Sequence, residues 1–349
     1  MNNKLLTYDE VLQQIDQKRH LLLGNGFSMA YDRNRFSFTS LLQSAIDKQI
    51  IKENSEIHQI FQDNNTSDFE QVVKTLENTS KVIEIYTQDE KLCKQLLEDS
   101  KKLKQFLVDI VTNNHPEKIT EISDDKFNST INFIKDYDNI YSLNYDLLLY
   151  WSMEKLREKI ENKQIQDGIK GFTDGFCNSD DGNYVVFNNN SHRNTCLYLH
   201  GALHIFDSGN EIIKKTYSRT GIPLKEQIGE ELNNNRYPVF VSEGTSEQKK
   251  TKILHNAYLN HCYKSLCAIG GDLVIFGTTL KSNDEHIQDA ILKSKIKNIY
   301  FGVSDLGKGK QELSDFVEKN KKLDNQKQIS FYDYKSVKIW TENNQGNAK

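Results

Sequence analysis

Four short stretches of the sequence carry residues suited to chemistry, and each directly follows an apolar run. They are Gly24–Ser28 (GNGFS), Ser142–Asp146 (SLNYD), Leu199–Gly201 (LHG) and Phe276–Leu280 (FGTTL). In an open α/β sheet, ligands bind outside the carboxyl ends of the strands. If the apolar runs are parallel strands, the four stretches meet along one edge of the sheet and form a candidate site.

The first stretch is a glycine-rich turn that suits a phosphate. Gly24 and Gly26 would let the backbone approach a pyrophosphate closely, and the amides that open the next helix would add a partial positive charge. The alternative is a tight bend that binds nothing. The turn lacks the third glycine of the dinucleotide fingerprint GxGxxG, so it does not predict a dehydrogenase.

The other three stretches hold polar residues where an apolar run ends. Asn144 and Asp146 could face a ligand, or could satisfy a turn and cap the following helix. His200 could act as a catalytic base, or could be a core histidine bonded to a carbonyl group. The segment Gly277–Thr279 could hold ribose or phosphate, and a turn closed by a threonine hydroxyl is its structural alternative.

The four stretches can meet at one edge of a sheet only if strands and helices alternate along the chain. Thr7 followed by Glu10 is a capping box, which predicts a first helix. The later apolar runs are short and nearly continuous, as is typical of parallel strands buried on both faces. They read HLLLGNG, NIYSLNYD, TCLYLHG, PVFVSEG, DLVIFGTT, NIYFGVS and ISFYDY. Helical segments separate most of them, so we predict an α/β fold with a doubly wound, Rossmann-like, mostly parallel sheet.

Two segments fall outside that alternation. Apolar residues between residues 40 and 135 recur at intervals of three and four, which predicts a helical insertion. Residues 165–195 are rich in Gly, Asn, Asp and Ser and predict an exposed loop or small lobe. One large α/β core across residues 1–349 can carry both segments, because single domains often exceed the usual modal length.

Composition restricts the function classes. The formal net charge of −4 gives no general attraction to nucleic acid or anionic membranes. The N-terminus lacks an apolar segment and no run approaches the roughly 18 apolar residues that span a bilayer, so we expect a cytoplasmic protein. Five scattered cysteines without a CxxC pair predict reduced thiols rather than a disulfide framework or a four-cysteine zinc site.

Taken together, the four stretches resemble the sirtuin-like family. Its members carry a GAGxS turn, an Asn-x-Asp strand end, a catalytic His-Gly and a late Gly-Thr-Ser, which correspond here to GNGFS, SLNYD, LHG and GTT. The run PVFVSEG is similar to the family's Pro-x-Val-x-x-Gly-Glu strand, with the last two residues inverted. The resemblance covers about residues 20–305. The NYD form, the bare LHG and the lack of zinc cysteines are similar to the bacterial branch that depletes NAD during phage infection.

The resemblance implies a sirtuin-like NAD+ hydrolase that gives nicotinamide and ADP-ribose, with NAD as substrate and no metal. Asn144 would orient the attacking water, Asp146 would engage the nicotinamide carboxamide, and His200 would act as general base. Phe27 would cover the reacting ribose. The residues implied in binding NAD are Gly24, Asn25, Gly26, Phe27, Ser28, Gly277, Thr278 and Thr279.

Two other functions stay open: an NAD-dependent protein deacylase and a non-catalytic module that senses NAD or ADP-ribose. The missing CxxC pairs argue against the deacylase, whose acyl-lysine channel needs a zinc lobe. The core and its helical insertion take up nearly all 349 residues. We therefore expect activation by a separate partner, such as a nucleotide-sensing or nucleic-acid-sensing subunit, or by assembly into a homo-oligomer, with no direct binding of nucleic acid or membranes.

Overall fold

The computed structural model describes residues 4–15, 18–36, 41–66, 69–116, 118–165, 168–178, 182–189, 194–234, 236–241 and 245–342. The helices are α1 (Tyr8–Gln14), α2 (Gly26–Tyr31), α3 (Arg33–Phe36), α4 (Leu41–Asp47), α5 (Glu56–Asp63), α6 (Phe69–Tyr86), α7 (Glu90–Asn114), α8 (Asp124–Ile134), α9 (Leu148–Glu161), α10 (Tyr217–Thr220), α11 (Leu224–Asn233), α12 (Ser246–His255), α13 (Ala257–Ala268), α14 (Glu285–Lys293), α15 (Leu306–Glu312) and α16 (Ser314–Lys321). The strands are β1 (Arg19–Leu23), β2 (Asn139–Ser142), β3 (Phe176–Asn178), β4 (Val185–Phe187), β5 (Thr195–Tyr198), β6 (Gly201–Asp207), β7 (Ile212–Lys214), β8 (Pro238–Phe240), β9 (Gly270–Phe276), β10 (Lys295–Val303) and β11 (Gln328–Asp333).

Six strands form a parallel sheet at the centre of the fold. Their order is β11-β10-β9-β1-β2-β5, and every neighbouring pair is parallel. Leu21–Leu23 of β1 and Leu273–Ile275 of β9 are fully buried, as expected for central strands that are covered on both faces. The prediction of a Rossmann-like α/β fold with a mostly parallel sheet is confirmed.

The direction in which strands are added to this sheet reverses beside β1. β2 and β5 follow β1 on one side, whereas β9 lies on the other side and continues to β10 and β11. Leu23 at the end of β1 pairs with Ser142 of β2 and with Phe276 of β9, so these three strands end at one level. Such a switch point opens a crevice at the carboxyl edge, where open α/β sheets bind ligands.

A second sheet, which the sequence did not predict, has the order β3-β4-β7-β6-β8 and is antiparallel. β3 and β4 lie within the segment 165–195. The prediction that the run PVFVSEG joins the parallel sheet is wrong, because Pro238–Phe240 form β8 beside β6. A short apolar run does not reveal the direction of its partner strand. Residues 242–244 of that run lie outside the described residues.

The turn at His200 carries the chain from one sheet to the other. β5 ends at Tyr198 in the parallel sheet, and β6 begins at Gly201 in the antiparallel sheet. Gly201 has a φ of 77°, and a Cβ there would lie 1.8 Å from the carbonyl oxygen of Val239. Only glycine fits this crossing, and the crossing fixes His200 at the edge of the main sheet.

The helices between β1 and β2 divide between two apolar cores. A separate cluster joins α4, α5, α6 and α7. In it Phe69 stacks on Phe106 and packs at a tilt against Phe61, with centroid distances of 5.6 and 5.0 Å. α8 belongs to the main core through Phe127 and Ile131. The helical segment expected at residues 40–135 thus contains one part with its own core and one part that packs under the main sheet.

Two smaller features complete the fold. The capping box predicted for α1 is confirmed, because Thr7 Oγ1 accepts from the amide of Glu10 and the Glu10 carboxylate accepts from the amide of Thr7. All five cysteines are free thiols. Among the described residues, no helix combines the length and the apolar character that crossing a bilayer requires.

Candidate functional site

A cavity of about 940 Å³ lies at the carboxyl edge of the main sheet. This volume is near the upper end of the roughly 300–1,000 Å³ typical of small-molecule sites. Its walls come from the segments that follow β1, β2, β5, β9 and β10. The sequence-predicted residues that line it are Gly24, Asn25, Gly26, Asn144, Asp146, His200, Gly277, Thr278 and Thr279. The four stretches therefore meet at one site.

The side chain of Asn144 has a fixed orientation. Its Nδ2 donates to the carbonyl oxygen of Gly24 at 3.1 Å and to Ser28 Oγ at 2.9 Å. Because a carbonyl oxygen can only accept, the nitrogen must face Gly24 and both of its hydrogens are used. Oδ1 is then the atom with which this buried side chain can accept a hydrogen bond from a ligand.

Asp146 is a buried carboxyl group held by two donors. Ser28 Oγ donates to its Oδ2, and the amide of Leu148 donates to Oδ1 at 2.9 Å. Burial raises the pKa of Asp146 from 3.8 to about 6, although both hydrogen bonds act in the opposite direction. A carboxyl group of this pKa is mostly ionised at neutral pH and takes up a proton in mildly acidic solution. The backbone contact also satisfies the start of α9, so the helix-cap alternative for Asp146 is present as well.

Ser28 and Phe27 do not line the cavity, which corrects two predicted roles. Ser28 is fully buried and its hydroxyl lies between Asn144 and Asp146, so it positions these residues instead of holding pyrophosphate. The ring of Phe27 packs 5.3 Å from that of Trp340, and its carbonyl accepts from Trp340 Nε1 at 3.0 Å. Since α2 begins at Gly26 and packs on the core, these side chains face inward and Phe27 cannot cover a ribose.

The glycines of the first and last stretches allow two loops to touch. A Cβ on Gly24 would lie 2.4 Å from Thr278 Cβ, and a Cβ on Gly26 would lie 2.5 Å from Gly277 Cα. The amide of Gly26 already donates to the carbonyl of Gly277 at 2.9 Å. This amide is thus committed to the loop contact and is not available to a phosphate.

Two further predicted residues beside this contact make hydrogen bonds within the protein. Thr278 Oγ1 accepts from the amide of Leu280 at 3.0 Å, so the turn closed by a threonine hydroxyl is present. Asn25 Nδ2 donates to the carbonyl of Phe36 at 2.8 Å. Both residues still line the cavity, as does Thr279. The loops therefore shape the wall of the cavity, and their hydroxyl groups remain within reach of a ligand.

His200 is a buried neutral imidazole. Its Nε2 lies 3.0 Å from Nε2 of His286, and the ring also bonds the backbone of Leu143, the neighbour of Asn144. Burial, and secondarily the charge of Lys249, lower the pKa of His200 to about 3. The alternative of a core histidine bonded to the backbone is therefore met in part, because the contact with Leu143 holds the ring at the cavity wall.

A polar cluster beside His200 could hold a divalent metal. One ligand atom each from His200, Asp284 and His286 lie within 4.8 Å of one another, and this residue set suits zinc. However, Nζ of the buried Lys249 lies 3.1 Å from Asp284 Oδ1. This ammonium group already neutralises the carboxylate that would attract the ion, so we assign no metal to the cluster.

Sequence reasoning missed several residues of this site. His286 lies inside a helix far along the chain, and Lys249 lies in α12, so no local motif indicates either residue. Ser304 and Asp305 also line the cavity. They directly follow β10, and the rule that ligands bind at the carboxyl ends of strands could have found them.

Comparisons with known proteins add a family but no activity. A family model described as "Domain of unknown function (DUF4917)" matches residues 21–340. This range includes every residue of the cavity discussed above. No curated protein matches the chain.

Proposed function

The chain belongs to the DUF4917 family, a domain of unknown function, and we propose that it is an NAD+ glycohydrolase that cleaves the nicotinamide–ribose bond with water as acceptor. The observation that carries this proposal is the convergence of Asn144 and His200 on one cavity at the switch point of the sheet. The resemblance of these stretches to the sirtuin-like family supports the same chemistry.

The reaction needs a positioned water and a base. Breaking the bond releases neutral nicotinamide and leaves an oxocarbenium-like ribose, so the protein must direct water to the anomeric carbon. Asn144 Oδ1 accepts a hydrogen bond from that water. As the water oxygen bonds to carbon, its proton passes to Nε2 of His200, and the products are ADP-ribose and nicotinamide. Asp146 accepts from the nicotinamide carboxamide at the cavity wall.

Basic side chains supply the charge for the pyrophosphate. Because the amide of Gly26 is used in the loop contact, backbone amides of that turn do not suffice to neutralise two phosphate charges. Two of the lysine and arginine side chains that line the cavity are paired with carboxylates, Arg35 with Asp32 and Lys249 with Asp284. The others are Arg33, Lys48, Lys281 and Lys308. Their attraction for a dinucleotide weakens with ionic strength, as for other partly exposed charges.

One observation favours a second candidate, a module that binds NAD or ADP-ribose without cleaving it. Nε2 of His200, the nitrogen that would take the proton, is already in contact with His286. A site whose base stays occupied would bind the nucleotide and release it unchanged. Turnover by the purified protein separates the two functions.

The proposal is tested by incubating the purified protein with NAD+ and separating nicotinamide from ADP-ribose by chromatography. His200→Ala should lose cleavage by about 10²–10⁴-fold, the usual contribution of a positioned base. Asn144→Ala should lose it as well. The exposed His255 on α12 provides the control variant His255→Ala, which should keep wild-type turnover. Full activity in both site variants would refute the assignment, and O-acetyl-ADP-ribose formed from an acetylated peptide would indicate a deacylase.

We also propose that this activity serves to deplete NAD in a bacterial cell during phage infection, under the control of a partner or of self-assembly. Unrestrained hydrolysis of NAD would kill the host, so the resting enzyme must be restrained. Expression with and without the proteins encoded beside it, followed by measurement of cellular NAD, tests this role. Equal NAD levels under all conditions, including infection, would contradict it.

A further inference from the structure

His200, His286 and Ser246 form a hydrogen-bonded chain of three residues. Ser246 Oγ accepts from the backbone amide of His286 at 2.7 Å, so we assign its hydroxyl hydrogen to Nδ1 of the His286 ring, 3.0 Å away. A neutral imidazole carries one proton, which then resides on Nε2 of His286. This Nε2–H donates to the lone pair on Nε2 of His200 at 3.0 Å.

This arrangement leaves Nε2 of His200 closed to a substrate, because its lone pair is filled by the N–H of His286. A general base must accept a proton through a free lone pair within hydrogen-bond reach. We propose that His286 caps the catalytic base of the resting enzyme and that cleavage of NAD requires this cap to open. The proposal rests on the proposed function, since it assigns the control of the same site.

Ser246 holds the cap in place from the neighbouring helix. Its Oγ accepts from the backbone amide of His286 at 2.7 Å and donates to Nδ1 of the ring. These two bonds join the first residue of α12 to the start of α14. They also fix the tautomer of His286, because a proton donated to Nδ1 requires the ring proton to reside on Nε2.

The cap can be reached from outside the catalytic cavity. Ser246 lines a second cavity of about 580 Å³. His286, with 1 % of its surface exposed, lies between Ser246 and His200 of the catalytic cavity. Phe61 and Asn65 of the helical insertion line the second cavity as well. Gln248 of α12 donates to the carbonyl of Asn65 at 3.0 Å, so the insertion is directly linked to the helix that holds the cap. Movement of the insertion against α12 is therefore the motion that would free His200.

Two variants remove the cap by different means. His286→Phe keeps an aromatic ring against His200, whose centroid lies 5.2 Å away, but it has no N–H to donate. Ser246→Ala changes little volume and lets His286 place its proton on Nδ1. We expect each variant to raise the turnover of NAD+ by the protein alone at least about tenfold, which is less than the roughly 10²–10⁴-fold that a positioned general base contributes. Ser282→Ala, at an exposed residue of the same second cavity, should leave turnover unchanged.

The opposite result overturns the proposal. If His286→Phe or Ser246→Ala lowers turnover while circular dichroism shows a folded protein, His286 assists the base and does not block it. The metal alternative is checked by adding Zn²⁺ to the wild-type protein and measuring binding by calorimetry. Stoichiometric binding of Zn²⁺ that is lost in His286→Phe would show that these residues form a metal site and not a cap.

NMR spectroscopy tests for the hydrogen bond between His286 and His200 independently of catalysis. In a sample with ¹⁵N-labelled histidine, long-range ¹H–¹⁵N spectra report which ring nitrogen bears the proton. We expect His200 to be protonated on Nδ1, and its Nε2 resonance to move downfield in His286→Phe because a hydrogen bond is lost. An unchanged Nε2 resonance would refute the cap. If neither wild type nor any variant cleaves NAD+ while this resonance moves, the proposed function fails and the cap stands.

Discussion

At the scale of single residues, Ser28, Asn144 and Asp146 form a small polar network inside an apolar core. Each of the three is buried, and Ser28 bonds both of the others. An unpaired buried polar group costs about 1–3 kcal/mol of stability. Removing one member of the network therefore leaves its hydrogen-bond partners buried and unpaired at that cost. The network therefore fixes Asn144 through Ser28, a residue that does not line the cavity.

Asp146→Asn tests the acid–base environment of this network. The pKa of Asp146 is raised from 3.8 to about 6, so the folded state holds this proton more tightly than the unfolded state. The corresponding stability is fully present below about pH 3.8 and is lost as the pH rises through about 6, by about 3 kcal/mol. Urea unfolding between pH 4 and 7.5 should therefore show a steeper decline for the wild type than for Asp146→Asn.

The quantity to compare is the difference in unfolding free energy between the wild type and Asp146→Asn. This difference cancels the titration of every group that the two proteins share. Parallel profiles of unfolding free energy against pH would show that the pKa of Asp146 is not raised. Circular dichroism at both ends of the pH range confirms that each protein is folded before urea is added.

At the scale of elements, the site depends on the contact between the loops that follow β1 and β9. Neighbouring strands bring these loops together, and glycines let their backbones touch. The contact places the start of α2 beside the end of β9. The loop contact by itself requires glycine at these positions. The glycines alone are therefore not evidence for phosphate binding.

Gly26→Ala should disrupt this contact. The added Cβ would lie 2.5 Å from Gly277 Cα, which is backbone and cannot move aside as a flexible side chain could. We expect a loss of about 1–3 kcal/mol in the free energy of unfolding, as for other overpacked sites. Binding of NAD+ should weaken with it, and thermal unfolding with and without NAD+ measures both effects.

Gly229→Ala is the matched control within helix α11. A Cβ at Gly229 meets no atom within 4 Å, and alanine is favoured over glycine in a helix by about 1 kcal/mol. This variant should equal or exceed the wild type in stability and should bind NAD+ normally. Equal behaviour of the two variants would show that the loops do not need their close approach.

At the scale of the whole molecule, the two ends of the described chain close around the site. Leu6 pairs with Tyr332 of β11, and Trp340 reaches back to α2. The Trp340 ring contacts Phe27, Tyr31 and Phe127, with centroid distances of 5.3, 5.4 and 6.0 Å. Helix α2, which follows the glycine turn, thus packs against Trp340, about three hundred positions later in the chain.

Trp340→Ala should loosen this closure. Removal of a buried tryptophan typically costs about 3–5 kcal/mol, and here the loss falls on the helix that carries Ser28. We expect a lower midpoint of urea unfolding together with weaker NAD+ cleavage. Trp340→Phe keeps a ring but loses the bond from Nε1 to the carbonyl of Phe27, so it should lose only about 1 kcal/mol. Equal stability of both variants and the wild type would contradict a role in closure.

Much of the architecture was readable from local patterns. Continuous apolar runs predicted the strands of the main sheet, since burial on both faces leaves no alternation of polar residues. Thr7 and Glu10 predicted a cap because both partners lie within one turn of helix. The same reasoning failed for Pro238–Phe240, whose run fits either sheet equally well. It also failed for Phe27 and Ser28, because the side of α2 that faces the core depends on helix packing.

The sequence by itself determined the class of fold and the four strand ends at which chemistry could occur, because each rests on residues that are neighbours in the chain. Only the tertiary structure decided that Asn144 and His200 share one cavity and that the glycines serve a loop contact. It also decided that Nε2 of His286 lies 3.0 Å from Nε2 of His200 and that Ser246 contacts the other nitrogen of the His286 ring. Those relations join residues about forty to more than two hundred positions apart, and a hydrogen bond between them exists only once the sheet has set their distance and direction.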